Sequence, residues 1–130
     1  MEHLGIGKLA PEIGGTDADG KAFTLGDYRG NVVILLFSGE WCVPCRAQQP
    51  KLRALQAQFR GKPVSILGVM SDPPERLREA TGKGEITWPC WCDGNHAGPI
   101  TTKWNITSWP TIHVLDQQGV IRHRNVSVGQ

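Results

Sequence analysis

Cys42 and Cys45, two of the four cysteines, have the spacing a redox couple needs. With only Val43 and Pro44 between them, their sulfurs come within bonding distance across one helical turn if a helix begins at Cys42. A thiol at a helix N-terminus faces unpaired backbone N–H groups and the positive end of the macrodipole, and both favour the thiolate. Cys42 therefore reads as a nucleophile at neutral pH. Cys45, one turn on and facing inward, can attack a mixed disulfide formed at Cys42 and release the reduced partner. The same spacing also serves half of a zinc site or a stapling disulfide. Zinc wants a second ligand pair, and a staple across so short a loop contributes little loop entropy, so the redox reading leads.

Cys90 and Cys92 flank Trp91. In an extended segment they share a face with Trp88, and three readings stay open: unpaired thiols, a secondary redox pair, or metal ligands. With His96 four residues on, a soft-metal site drawing on Cys42, Cys45, Cys90 and Cys92 is conceivable, although C-x-C with C-x-x-C is not a common zinc spacing. His113 alternates with Thr111 and Leu115 and reads as a satisfied strand histidine before it reads as a ligand.

These residues need elements to position them. Asn31 to Phe37 is β-branched and continuously apolar from Val32 on, as a strand buried on both faces would be. From Cys42 to Phe59 the period becomes helical: Cys45, Gln48 or Gln49, Leu52, Leu55 and Phe59 recur at three and four, with Pro50 expected to kink the helix. Pro63 to Met70 is a second buried strand, and Asp72-Pro73-Pro74-Glu75 opens a short helix running to about Ala80. Glu85 to Trp88 is expected as a third strand, Ile100 to Trp104 as one or two helical turns, and Thr111–Leu115 and Val120–Val126 as a closing hairpin. Before all of these, Asp17-Ala18-Asp19-Gly20 is a turn leading into Lys21–Leu25. The order predicts an α/β fold with a mixed sheet.

The chain has 130 residues, enough for one domain (1–130) and too few for two, and large enough to fold without disulfides as staples. Net charge is +2, with 14 Lys and Arg dispersed among 12 Asp and Glu. A nucleic-acid or anionic-membrane binder would concentrate its basic residues on one face. The longest apolar run falls far short of the roughly 20 residues that span a bilayer, so no membrane segment is expected. The first five residues lack a basic stretch followed by an apolar one, so a secretory leader is not expected within this sequence, and one or a neighbouring domain would have to lie outside it.

Three separated stretches carry a resemblance. Glu40-Trp41-Cys42-Val43-Pro44-Cys45-Arg46-Ala47 with Pro50 is similar to the active-site strand and helix of thioredoxin-like proteins, in particular the TlpA/ResA-like redoxins of the AhpC/TSA type. Gly7–Pro11, Thr16-Asp17 and Arg29-Gly30-Asn31-Val32-Val33 resemble that family's N-terminal extension, and Trp109-Pro110-Thr111 its cis-proline segment. The resemblance implies a thioredoxin fold, a central mixed β-sheet flanked by helices with an N-terminal β-hairpin extension. It implies thiol-disulfide exchange with protein disulfide or dithiol substrates, Cys42 attacking and Cys45 resolving, an upstream thiol reductant and no cofactor beyond the Cys42–Cys45 disulfide. Trp41, Pro44, Trp109 and Pro110 would form the substrate surface, with Pro110 cis. An extracytoplasmic location is the family's leaning.

Some positions depart from the pattern. Leu36 stands where thioredoxins carry a buried Asp, and Gln48 where ResA-like proteins carry a Glu, so both familiar proton acceptors for Cys45 are missing. Glu40, beside the motif, is expected at the surface. The sequence also ends at Gln130, where the pattern would continue into a C-terminal helix. Two further readings follow from the fold: a peroxiredoxin-like peroxidase, which Gly39 disfavours because it replaces an activating Thr, and a metal-binding or assembly module using the four thiols and His96.

Overall fold

The computed structural model describes residues 4–126. A small antiparallel hairpin, β1 (Gly14–Thr16) and β2 (Ala22–Thr24), is followed by a 3₁₀ turn at Leu25–Tyr28 that Thr24 and Asp27 cap reciprocally. Then come β3 (Val32–Ser38), α1 (Val43–Gln58), β4 (Val64–Met70), α2 (Pro74–Gly82), β5 (Cys90–Cys92), α3 (Pro99–Lys103), β6 (Thr111–Leu115) and β7 (Ile121–His123). The main sheet has the order β5-β4-β3-β6-β7, with β3, β4 and β5 parallel and β6 and β7 antiparallel to their neighbours. This is the thioredoxin fold that the resemblance implies, hairpin extension included.

Both faces of the sheet are covered, which explains the unbroken apolar run of β3. Val33, Leu35 and Phe37 face one core with Leu67, Val69, Trp91 and Trp104. Leu36, one residue out of phase, faces the other with Leu52 of α1, Leu77 and Ala80 of α2, Ile66 and Met70. The hairpin extension docks on the first core through Phe23, whose ring stacks on Trp91 at 4.5 Å while the indole N–H of Trp91 donates to the Phe23 carbonyl.

Glu85 to Trp88 does not form the expected strand. Helix α1 supplies the reason: Arg53 Nη1 donates to the Glu85 carbonyl and Gln56 Nε2 to the Thr87 carbonyl, so side chains take the place of a ladder. Pairing with β4 begins only at Cys90, opposite Gly68. Trp88 and the Cys90 sulfur pack over that glycine, where a Cβ would lie 2.9 Å from the sulfur. The last strand is shorter than expected, Ile121–His123 in place of Val120–Val126. Among the described residues no helix follows β7 and none is long and apolar enough to cross a membrane. The expected absence of a C-terminal helix concerns a region reaching into residues 127–130, outside those described.

Candidate active site

Strand β3 ends at Ser38, and four residues later Cys42 is the N-cap of α1, with extended backbone (φ −101°, ψ 112°). Its sulfur accepts the N–H of Cys45 at 3.3 Å, so the sulfur takes the capping position that a Ser or Asp oxygen would otherwise fill. Cys42 and Cys45 are joined as a disulfide, their Cα atoms 5.2 Å apart. Pro44 lies in the first helical turn, where its missing N–H costs no intrahelical bond. Cys45 is sealed at 1% exposure and Cys42 is slightly more open at 6%, while Trp41 (51%) and Val43 (67%) stand out on either side of Cys42. Of the predicted buried stripe of α1, Cys45, Gln49 and Leu52 are buried, Gln49 and not Gln48 holding the polar place, and Leu55 and Phe59 are half-buried.

The loop between β3 and α1 is fastened to the end of β4. The Ser71 N–H donates to the Ser38 carbonyl at 2.9 Å, and the Trp41 indole N–H donates to the Ser71 carbonyl at 3.1 Å. Gly39 is required by this packing, because a Cβ there would run into the Trp41 indole. The Glu40 N–H donates to both carboxylate oxygens of Asp72. Contrary to expectation, Glu40 is buried, at 6% exposure, and its Oε2 accepts from Gln49 Nε2. Its place beside the cysteine motif suggested the surface. The anchors that pull Glu40 inward come from 32 and 9 residues away.

The Trp109–Pro110 peptide is cis. The antiparallel register pairs Phe37 with Thr111, so Pro110 lies at the end of the sheet where β3 gives way to the cysteine loop. Trp109, half-buried, packs against the first core and meets Trp41 edge-to-face at 5.5 Å. Next to Trp41 opens a cleft of about 540 Å³ lined by Ser71, Asp72, Arg76, Glu79 and His96, and His96 also lies edge-on to Trp109 at 6.4 Å. A disulfide capping a helix beside an exposed indole is an arrangement for thiol-disulfide exchange.

Comparison with known proteins agrees with this geometry. The model of the AhpC/TSA family matches residues 6–124. The chain belongs to the AhpC/TSA family. Among its relatives, the thiol-disulfide oxidoreductase ResA of Bacillus thuringiensis subsp. konkukian is 29% identical over 121 residues, 92% of this chain and 69% of that protein. The thioredoxin-like protein YneN of Bacillus subtilis is 29% identical over 131 residues, 96% of this chain and 75% of its own. The solved thioredoxin domain of a thiol-disulfide oxidoreductase from Bacteroides vulgatus superposes with a TM-score of 0.83 at 26% identity, covering 94% of this chain and 89% of that one. Within the AhpC/TSA family the chain is thus a TlpA/ResA-like redoxin.

Against that AhpC/TSA background the acid positions stand out. Leu36 is fully in the core, and Gln48 is half-buried with an Oε1 that has no protein partner, so neither position expected from the resemblance to hold an acid does so here. The buried carboxylates near the couple are instead Glu40 and Asp72. Asp72 has its carboxyl raised above the ordinary value, by burial first, against the opposing pull of the Glu40 N–H and of Arg76.

Cys90 and Cys92 are free thiols on one face of β5. The Cys90 S–H points to the Trp88 carbonyl and the Cys92 S–H to the Asp72 carbonyl, and burial raises the titration of both. Among the described residues no group of three or more His, Cys, Asp or Glu is placed to hold a metal, so the set of Cys42, Cys45, Cys90, Cys92 and His96 is not gathered. The reason is topological: Cys90 is enclosed in the core on one side of the sheet, and His96 is an exposed residue of the cleft. His113 is a core residue of β6, packed on Phe37 and Trp104.

Proposed function

We propose that this protein is a thiol-disulfide oxidoreductase acting on protein disulfides. In the reduced state the Cys42 thiolate attacks a substrate disulfide and forms a mixed disulfide, expelling one substrate thiolate. Cys45 then attacks Cys42 Sγ, closing the Cys42–Cys45 bond and expelling the second. Two electrons pass from the protein dithiol to the substrate, and an upstream thiol reductant restores the dithiol. The observation that carries the reading is the disulfide at the start of α1, with the Cys42 sulfur as the helix cap and Cys45 sealed behind it. An N-terminal cap position lowers the thiol pKa of the outer cysteine, and burial keeps the inner one for the intramolecular step. Trp41, Pro44, Trp109 and the cis Pro110 offer the substrate an apolar platform, and the names of the ResA and Bacteroides vulgatus relatives agree with the activity. The peroxidase reading has less support, since Trp41 occupies the space that a side chain at Gly39 would need.

The test is reduction of insulin disulfides by the protein in the presence of dithiothreitol. Cys42→Ser should abolish the catalysed rate, and Cys45→Ser should leave a trapped mixed disulfide. Turnover that survives Cys42→Ser would rule out this nucleophile.

A further inference from the structure

We propose that Glu40 is the proton acceptor for Cys45, with Gln49 and Asp72 holding it in place. The assignment rests on the redox reading above. Resolution requires the Cys45 thiol to lose a proton inside a sealed site, and an acceptor must be buried with it. Gln48, at the position where the resemblance leads one to expect an acid, cannot titrate. Gln49 can do something else: it lies four residues after Cys45, on the same buried face of α1 one turn along, and its amide donates to Glu40 Oε2. That bond draws the Glu40 carboxylate from the loop onto the helix face that carries Cys45. From the other side, Asp72 fixes the Glu40 backbone through two acceptor contacts, at 3.1 and 2.9 Å.

A buried carboxylate is costly unless paired with a cation. Among the described residues no Lys or Arg forms an ion pair with Glu40, whose side-chain partner is a neutral amide. The titratable groups that face it are Asp72 at the end of β4 and Cys90 of β5, with Arg76 of α2 acting on Asp72. All of them except Arg76 are acids. An acid kept among acids and thiols, without a counter-ion, suits a site that takes up and returns a proton.

The step balances as follows. The Cys45 S–H bond breaks and its proton passes to the Glu40 carboxylate. The Cys45 sulfur bonds to Cys42 Sγ as the bond from Cys42 to the substrate sulfur breaks, and the substrate leaves as a thiolate with that electron pair. The proton on Glu40 then passes to the departing thiolate.

The experiment follows both steps with 5,5′-dithiobis(2-nitrobenzoate). The first thionitrobenzoate released reports attack by Cys42 and the second reports resolution by Cys45. Glu40→Gln keeps an oxygen that can accept from Gln49, so the loop should hold. The variant should slow the second release roughly tenfold or more at slightly acidic pH, and replace a plateau above an acid limb by a continuous rise with pH. The first release should change little, and Glu40→Asp should restore an acid limb. Superimposable pH profiles for the wild type and Glu40→Gln would overturn the assignment. A wild type in which resolution does not occur defeats the redox reading instead. Coupling is then read without substrate, from the Cys45 ¹³Cβ titration in reduced protein. Glu40→Gln should lower that midpoint by about one pH unit, and an unmoved midpoint would overturn the Glu40 assignment.

Discussion

Asp72 binds the backbone of Glu40 through both carboxylate oxygens, a contact between the end of β4 and the loop that presents Cys42. The clamp joins two strands that are already hydrogen-bonded neighbours, so the cysteine loop is held to the sheet independently of α1.

The clamp has a pH signature. Since burial raises the Asp72 carboxyl, the folded protein holds more proton than the unfolded chain between the ordinary carboxylate value and the raised one. This contribution to stability falls as pH rises through that window. Asp72→Asn should flatten it, seen as a smaller change of urea midpoint from pH 4 upward, and should widen the NMR line of the Glu40 amide as the second acceptor oxygen is lost.

His113 acts in the opposite direction. Burial first, and then Arg124, push its imidazole down to about 4. Between that value and the ordinary one the unfolded chain binds more proton, so this contribution to stability rises with pH from about 4 to 6.5. His113→Phe keeps the packing on Phe37 and Trp104 but removes the acceptor for the Asn125 N–H. Thermal melts of this variant should lose the rise across that range and sit about 1 kcal/mol lower at neutral pH for the lost hydrogen bond.

Gly39→Ala should displace Trp41 and leave the core alone. A Cβ at this position collides with the indole, whose N–H would then lose the Ser71 carbonyl. The Trp41 indole resonance should shift while those of Trp91 and Trp104 stay. Disulfide turnover should show a raised KM, several-fold, through loss of apolar substrate contact.

The second cysteine pair should behave as two unlike thiols. Cys90 is enclosed and its titration is pushed far up by burial, whereas Cys92, also raised by burial, is only half-buried and open to reagent on one side. Alkylation of the native protein at pH 8, read by mass spectrometry, should label Cys92 before Cys90, and Cys90 should become reactive only on unfolding.

Much of this was legible in the chain. The run Val32–Phe37 and the three- and four-residue spacing after Cys42 depend on local pattern alone, and both elements are found with boundaries close to those predicted. The cis Trp109–Pro110 bond was legible through resemblance, which tertiary context alone can justify. The misses share a different origin. Glu85–Trp88 has a strand-like sequence but gives its carbonyls to Arg53 and Gln56, and Glu40 has an exposed-looking neighbourhood but is drawn in by Gln49 and Asp72. In each case a polar side chain from a distant segment decides the outcome, and periodicity carries no information about such partners.

The tryptophans have a practical consequence. Trp88, Trp91 and Trp104 are sealed in the two cores, while Trp41 is open to solvent and Trp109 half-open beside it. An aqueous quencher such as iodide therefore meets the indoles next to the sulfurs and leaves the buried ones dark to it. The protein carries its own optical gauge of whether something is seated over the disulfide.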